Sequence, residues 1–173
     1  ADEPDHAPSH YNFGVAFSQQ SAYAEAAEAM KRAIEIDPGY ILAYTSLGDI
    51  YCLKLGRCSD AVALFERAIE QEPTALAPKV GLGRARLRLG RDEAAVQVFG
   101  EIVAADTTVA EAYNGLGIAY TRLGQYEAAA EVLRRAIHLN LLNAEIHYNL
   151  AKAYQKQGKT EQSQEAMNAF SRI

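Results

Sequence analysis

The chain has 173 residues, 49% hydrophobic and 23% charged, a balance that excludes an unstructured polar tail and suits one ordinary domain. Its formal net charge is −5, from 17 Lys and Arg against 22 Asp and Glu, which argues against wholesale nucleic-acid binding but leaves room for a local basic patch. No apolar run approaches the ~20 residues of a bilayer span, so membrane insertion is not expected, and two cysteines make neither a disulfide framework nor a zinc site.

Residues 1–6 read as a lead-in without a signal-like apolar stretch. They name no compartment, although a soluble, cytoplasmic protein is expected over a secreted or periplasmic one. From residue 7 onward the sequence repeats. Gly56, Gly90, Gly124 and Gly158 are 34 residues apart, as are Ala61, Ala95, Ala129 and Ser163. Tyr51, Arg86, Tyr120 and Tyr154 are spaced 35, 34 and 34, and Pro38, Pro73, Thr107 and Leu141 have the same spacing. Several series in one register mark a single array of five units: 7–40, 41–75, 76–109, 110–143 and 144–173.

Each unit predicts two short amphipathic helices. Unit one carries Phe13, Gly14, Phe17, Ala26, Met30, Ala33 and Pro38. Unit two carries Tyr44, Leu47, Gly48, Tyr51, Ala61, Phe65, Ala68 and Pro73, with one extra residue between Tyr51 and Gly56. That insertion predicts a bulge or an added half-turn at the helix end. Cys52 and Cys58 flank it. Cys58 occupies the slot of Tyr23 and Tyr126, so apolar filling is the first expectation. A disulfide across the turn is the alternative and needs a Cα separation below ~7 Å. Unit three has Leu82, Gly83, Ala95 and Phe99, but Arg86 in the Tyr slot.

In unit four, Tyr113, Leu116, Gly117 and Tyr120 fall on one helical face, and Tyr126, Ala129, Val132, Leu133 and Ala136 on another. Gly124 between them suits a left-handed helix end. Unit five has Leu150, Ala151, Tyr154 and Gly158, then drifts to Ser163 and Phe170. These stripes are expected to be core. His6, His10, His138 and His147 are expected at the surface. The glycines are periodic and form no phosphate loop, and the serines lack a nucleophile-elbow context. No catalytic residue, metal site or cofactor is therefore expected.

The aromatic–Leu–Gly–Tyr, Ala, Phe, Ala and Pro positions of units one to five resemble the tetratricopeptide repeat (TPR), a 34-residue helix–turn–helix unit. The resemblance spans residues 7–173. It implies an all-α, right-handed α-solenoid of five TPR units, about ten antiparallel helices, whose first helices line a groove. Carried onto this register, the groove positions are Tyr11, Val15 and Ser18; Leu42, Thr45 and Asp49; Val80, Arg84 and Arg88; Asn114, Ile118 and Arg122; and Tyr148, Lys152 and Lys156. Five are basic in an acidic protein, with Glu111 and Glu145 nearby.

The implied function is a non-catalytic scaffold holding a peptide segment of a partner protein, with an acidic segment or a C-terminal carboxylate favoured by the basic stretch. The competing expectation is that these cations pair with neighbouring acids. The carboxylate clamp for chaperone tails is incomplete: its positions hold Tyr11, Val15, Ser46, Ala77 and Gly81. An asparagine ladder is also incomplete, since Asn12 and Asn149 fit but Ser46, Gly81 and Gly115 do not. Two other classes stand beside this one. The array could assemble weakly with itself through its ends, although polar residues of the last helix partly cap one of them. It could also be the TPR portion of a larger enzyme.

Overall fold

One residue per hairpin takes left-handed backbone, and it fixes where each first helix stops. In a computed structural model describing residues 6–173, Gly56, Gly90, Gly124 and Gly158 have φ between +69° and +76°. Ser21 takes the same place in the first hairpin with φ +61°. The next N–H then reaches back five residues, as in Gln125 N–H to the Tyr120 carbonyl at 2.8 Å and Ala22 N–H to the Phe17 carbonyl at 2.9 Å.

The helices so delimited are α1 (Ala7–Gln19), α2 (Tyr23–Ile36), α3 (Ile41–Asp49), α4 (Cys58–Gln71), α5 (Leu76–Arg88), α6 (Asp92–Ala105), α7 (Ala110–Arg122), α8 (Tyr126–Leu139), α9 (Ala144–Lys156) and α10 (Thr160–Phe170). No strand occurs among the described residues, and the fold class is all-α, built from helical hairpins of the solenoid kind. The chain divides into two compact units, Ala1–Ala85 and Arg86–Ile173, with the division inside α5.

The extra residue of the second repeat is absorbed as a π-helical segment, Ile50–Lys54, running on from α3. Leu55 N–H bonds the Ile50 carbonyl at 3.0 Å, and the Arg57 N–H reaches back six residues, to Tyr51, instead of five. This is the bulge expected from the spacing. It also settles the cysteines, because Cys52 and Cys58 form a disulfide with Cα atoms 4.0 Å apart. The expectation of simple apolar filling is thereby corrected. The π turn carries Cys52 onto the start of α4, and both residues are buried.

In the first compact unit, Phe65 of α4 is fully buried and lies against Gly48 of α3 and Gly81 of α5. A Cβ on Gly48 would sit 2.7 Å from the Phe65 ring, so the glycine is what admits the aromatic. In the second compact unit Phe99 of α6 packs on Gly115, and Leu133 of α8 on Gly117. Overpacking such a contact by one methyl costs about 1–3 kcal/mol. The core continues through Ala129, Ala136, Ile146, Leu150 and Tyr154.

Not every stripe residue is interior. Phe13 and Phe17 on α1 and Phe170 on α10 are exposed, because no further helix among the described residues covers those faces. His147 is buried, against the surface expectation, with its Nε2 2.9 Å from the Leu141 carbonyl across the turn that starts α9.

Candidate functional site

In the second compact unit, α7 and α9 pack side by side, and like positions 35 residues apart become neighbours. Asn149 Nδ2 donates to Asn114 Oδ1 at 2.9 Å, and Asn114 Nδ2 donates to Glu145 Oε1 at 3.4 Å. Asn114 was expected to contact ligand, but it is only 8% exposed and serves to tie the two helices together. A buried amide is costly unless it is bonded, and here its partners hold it.

Arg122 is similarly engaged. Its Nη1 donates to the Leu87 carbonyl, again 35 residues away, at 2.5 Å, and pairs with Asp92 Oδ1 at 3.2 Å. Lys152 and Lys156 differ. Both are exposed, and neither makes an ion pair among the described residues. With Tyr148, 44% exposed, they recur every four residues and so form one stripe along α9. Beside the stripe lies a hollow of about 160 Å³ bounded by Ile118, Thr121, Arg122, Asn149 and Lys152. Arg88 is exposed at the end of α5.

In the first compact unit, Arg84 Nη2 pairs with Asp49 Oδ1 at 2.7 Å. Two expected ligand contacts therefore neutralise each other, in line with the competing expectation. Burial pushes the Asp49 carboxyl above the usual carboxylate range, and the Arg84 charge only partly offsets it. Tyr11 packs edge-to-face on Tyr40 at 5.5 Å. Val80 is buried, and Thr45 turns its hydroxyl back to the Ile41 carbonyl. Leu42 is exposed, whereas Val15, Ser18 and Asp49 line a cavity of about 340 Å³. Ser46, Met30 and the π-segment residues Ile50, Leu53 and Lys54 share it. Among these lining residues, sequence reasoning marked only Val15, Ser18 and Asp49 as facing a ligand; the inserted residue was the signal for the π-segment wall.

No helix among the described residues is long and apolar enough to cross a membrane. Family models described as Tetratricopeptide repeat match residues 1–41, 53–117 and 145–172, and one described as TPR repeat matches residues 119–158. No curated protein sequence matches the chain. Among solved structures, MamA 41-end from Desulfovibrio magneticus RS-1 superposes with a TM-score of 0.85 at 20% identity, covering 99% of this chain and 96% of that one. Another MamA structure gives a TM-score of 0.80 at 20% identity over 95% of this chain and 89% of that one. YrrB, described as a TPR protein with an unusual peptide-binding site, gives 0.74 at 20% identity over 98% and 87%. At these identities the likeness is one of fold.

Proposed function

The chain belongs to the tetratricopeptide repeat family, and from that premise we propose that it is a non-catalytic scaffold whose α9 stripe holds an acidic peptide segment of a partner protein. The observation that carries this reading is the pair of uncommitted cations Lys152 and Lys156, in line with exposed Tyr148. Arg84 and Arg122 are bound to the protein's own carboxyl and carbonyl oxygens, so they shape the surface without offering a free charge. Lys ammonium groups on flexible stems suit carboxylates whose spacing varies, whereas a fixed bidentate site would call for Arg. The hollow beside Asn149 gives room for one side chain of the bound segment. YrrB, as a TPR protein with a peptide-binding site, supports the general class of ligand.

Fluorescence anisotropy with labelled acidic, neutral and basic decapeptides tests the reading. The acidic peptide is expected to bind most tightly and to weaken as salt rises. Equal binding of all three, or no salt dependence, contradicts it.

A second reading is favoured by the apolar end, where the Tyr148 and Phe170 rings meet at a tilt with centroids 5.7 Å apart and Ile173 is 52% exposed. Copies of the chain could associate there, and light scattering across concentration distinguishes a monomer from an assembly. The buried disulfide also fits an oxidising compartment better than the cytoplasm first expected.

A further inference from the structure

The cavity of the first compact unit lies away from the α9 stripe in sequence and is built around the one irregular segment of the array. Its apolar wall comes from Val15 of α1, Met30 of α2, and Ile50 and Leu53 of the π segment. Two of those four stand in or just at the start of the segment that the inserted residue creates. Each residue added to a helix turns the rest of that helix by about 100°, so regular α-helix would swing Leu53 and Lys54 to another face. The disulfide then pins the segment to α4. A π insertion held in place this way is a common mark of a functional site.

The polar groups of the cavity say what kind of guest it takes. Asp49 is paired with Arg84, and the Lys54 ammonium lies over the Tyr23 ring at 5.4 Å. Arg84 already neutralises Asp49, so a cationic guest finds no free partner, and the same carboxylate disfavours an anionic one. The hydroxyls of Ser18 and Ser46 make no hydrogen bond among the described residues, although Thr45, next to Ser46, satisfies its own on the helix. An apolar wall flanked by two open hydroxyls matches a large apolar side chain carried on a peptide backbone. The side chain fills the space and the hydroxyls meet the amides beside it. About 340 Å³ is at the small end of ligand-pocket volumes, enough for one such side chain.

We infer that this cavity is an anchor pocket for a single large apolar residue, such as Phe or Leu, of a partner peptide. The peptide nature of the guest rests on the scaffold reading; the position and apolar character of the pocket do not.

The test uses the full chain with ¹³C-labelled methyl groups, titrated with N-acetyl-phenylalaninamide and separately with hexanoate. The blocked amino acid is expected to give saturable shifts at the methyls of Val15, Met30, Ile50 and Leu53. Filling the cavity by Ser46→Leu, or independently by Ser18→Leu, is expected to weaken that binding at least tenfold with the helical circular dichroism unchanged. Absence of saturable shifts at these methyls, or undiminished affinity in a folded filled variant, overturns the pocket. Tighter binding of hexanoate than of the blocked amino acid overturns its assignment to a peptide side chain. Fluorescence anisotropy of a labelled acidic decapeptide with the same chain, native and with Lys152→Glu and Lys156→Glu, reports on the scaffold reading separately, so either can fail alone.

Discussion

Ser21 is the single non-glycine residue with positive φ among the described residues. A side chain there costs roughly 1–2 kcal/mol against the neighbouring carbonyl, and glycine recovers most of it less its greater freedom in the unfolded chain. Ser21→Gly is therefore expected to stabilise by about 1 kcal/mol, or about 2–4 °C in thermal melting; a lower melting temperature would show that the hydroxyl's 3.4 Å contact with Tyr23 matters more than the backbone. Asp49 gives a second residue-scale prediction. Its native pKa is raised by burial, so the folded chain binds its proton more tightly than the unfolded chain does. Its ionisation opposes folding, and stability falls as pH rises from the ordinary carboxylate pKa through the raised one. Arg84 pulls the other way, so in Arg84→Ala the Asp49 carboxyl, followed by ¹³C NMR, is expected to titrate at still higher pH. A lower midpoint contradicts this account. The glycine helix ends at Gly56, Gly90, Gly124 and Gly158 were legible in the 34-residue register, but Ser21 in the corresponding place of the first hairpin and the Asp49–Arg84 pair were not. Register places residues 35 apart on neighbouring helices, whereas rotamers and burial decide whether they bond or face solvent. The same ambiguity hid the burial of Asn114 and Val80.

The π segment is the element whose existence was readable and whose consequence was not. Counting from Gly48 to Gly56 reveals one residue too many. Whether that residue extends the helix or bulges it depends on what must be met beyond, and here the meeting is between Cys52 and Cys58. A regular helix end leaves the distance between such residues undetermined, while the π turn brings their Cα atoms to 4.0 Å. Cross-linking a loop this short removes unfolded-state freedom worth about 2 kcal/mol on the chain-entropy account. The double variant Cys52→Ala with Cys58→Ala is expected to lose about that much stability in denaturant titrations. Amide exchange is expected to quicken first between residues 50 and 58. Uniformly faster exchange along the chain would mean that the bond supports the whole fold instead of this element. The hairpins themselves were legible because small residues at Gly117, Ala129 and Ala136 and periodic apolar positions specify close helix packing by size alone. The exposure of Phe13, Phe17 and Phe170 was not, since it depends on neighbours and not on the residues.

At the scale of the molecule, a net charge of −5 sets a field that repels acidic partners except where cations stand free of the protein's own acids. Sequence alone gives five basic groove candidates; structure leaves Lys152 and Lys156 as the uncommitted pair on α9, with Arg88 exposed on α5. The scaffold reading turns on those two lysines. Its most direct test is peptide preference before and after their charge is reversed, since Lys152→Glu with Lys156→Glu changes exposed side chains on one helix face and leaves the core alone. The account predicts that the native chain prefers an acidic decapeptide over a basic one and that the double variant, equally helical, reverses that preference. An unchanged preference for the acidic peptide in the folded variant would contradict it.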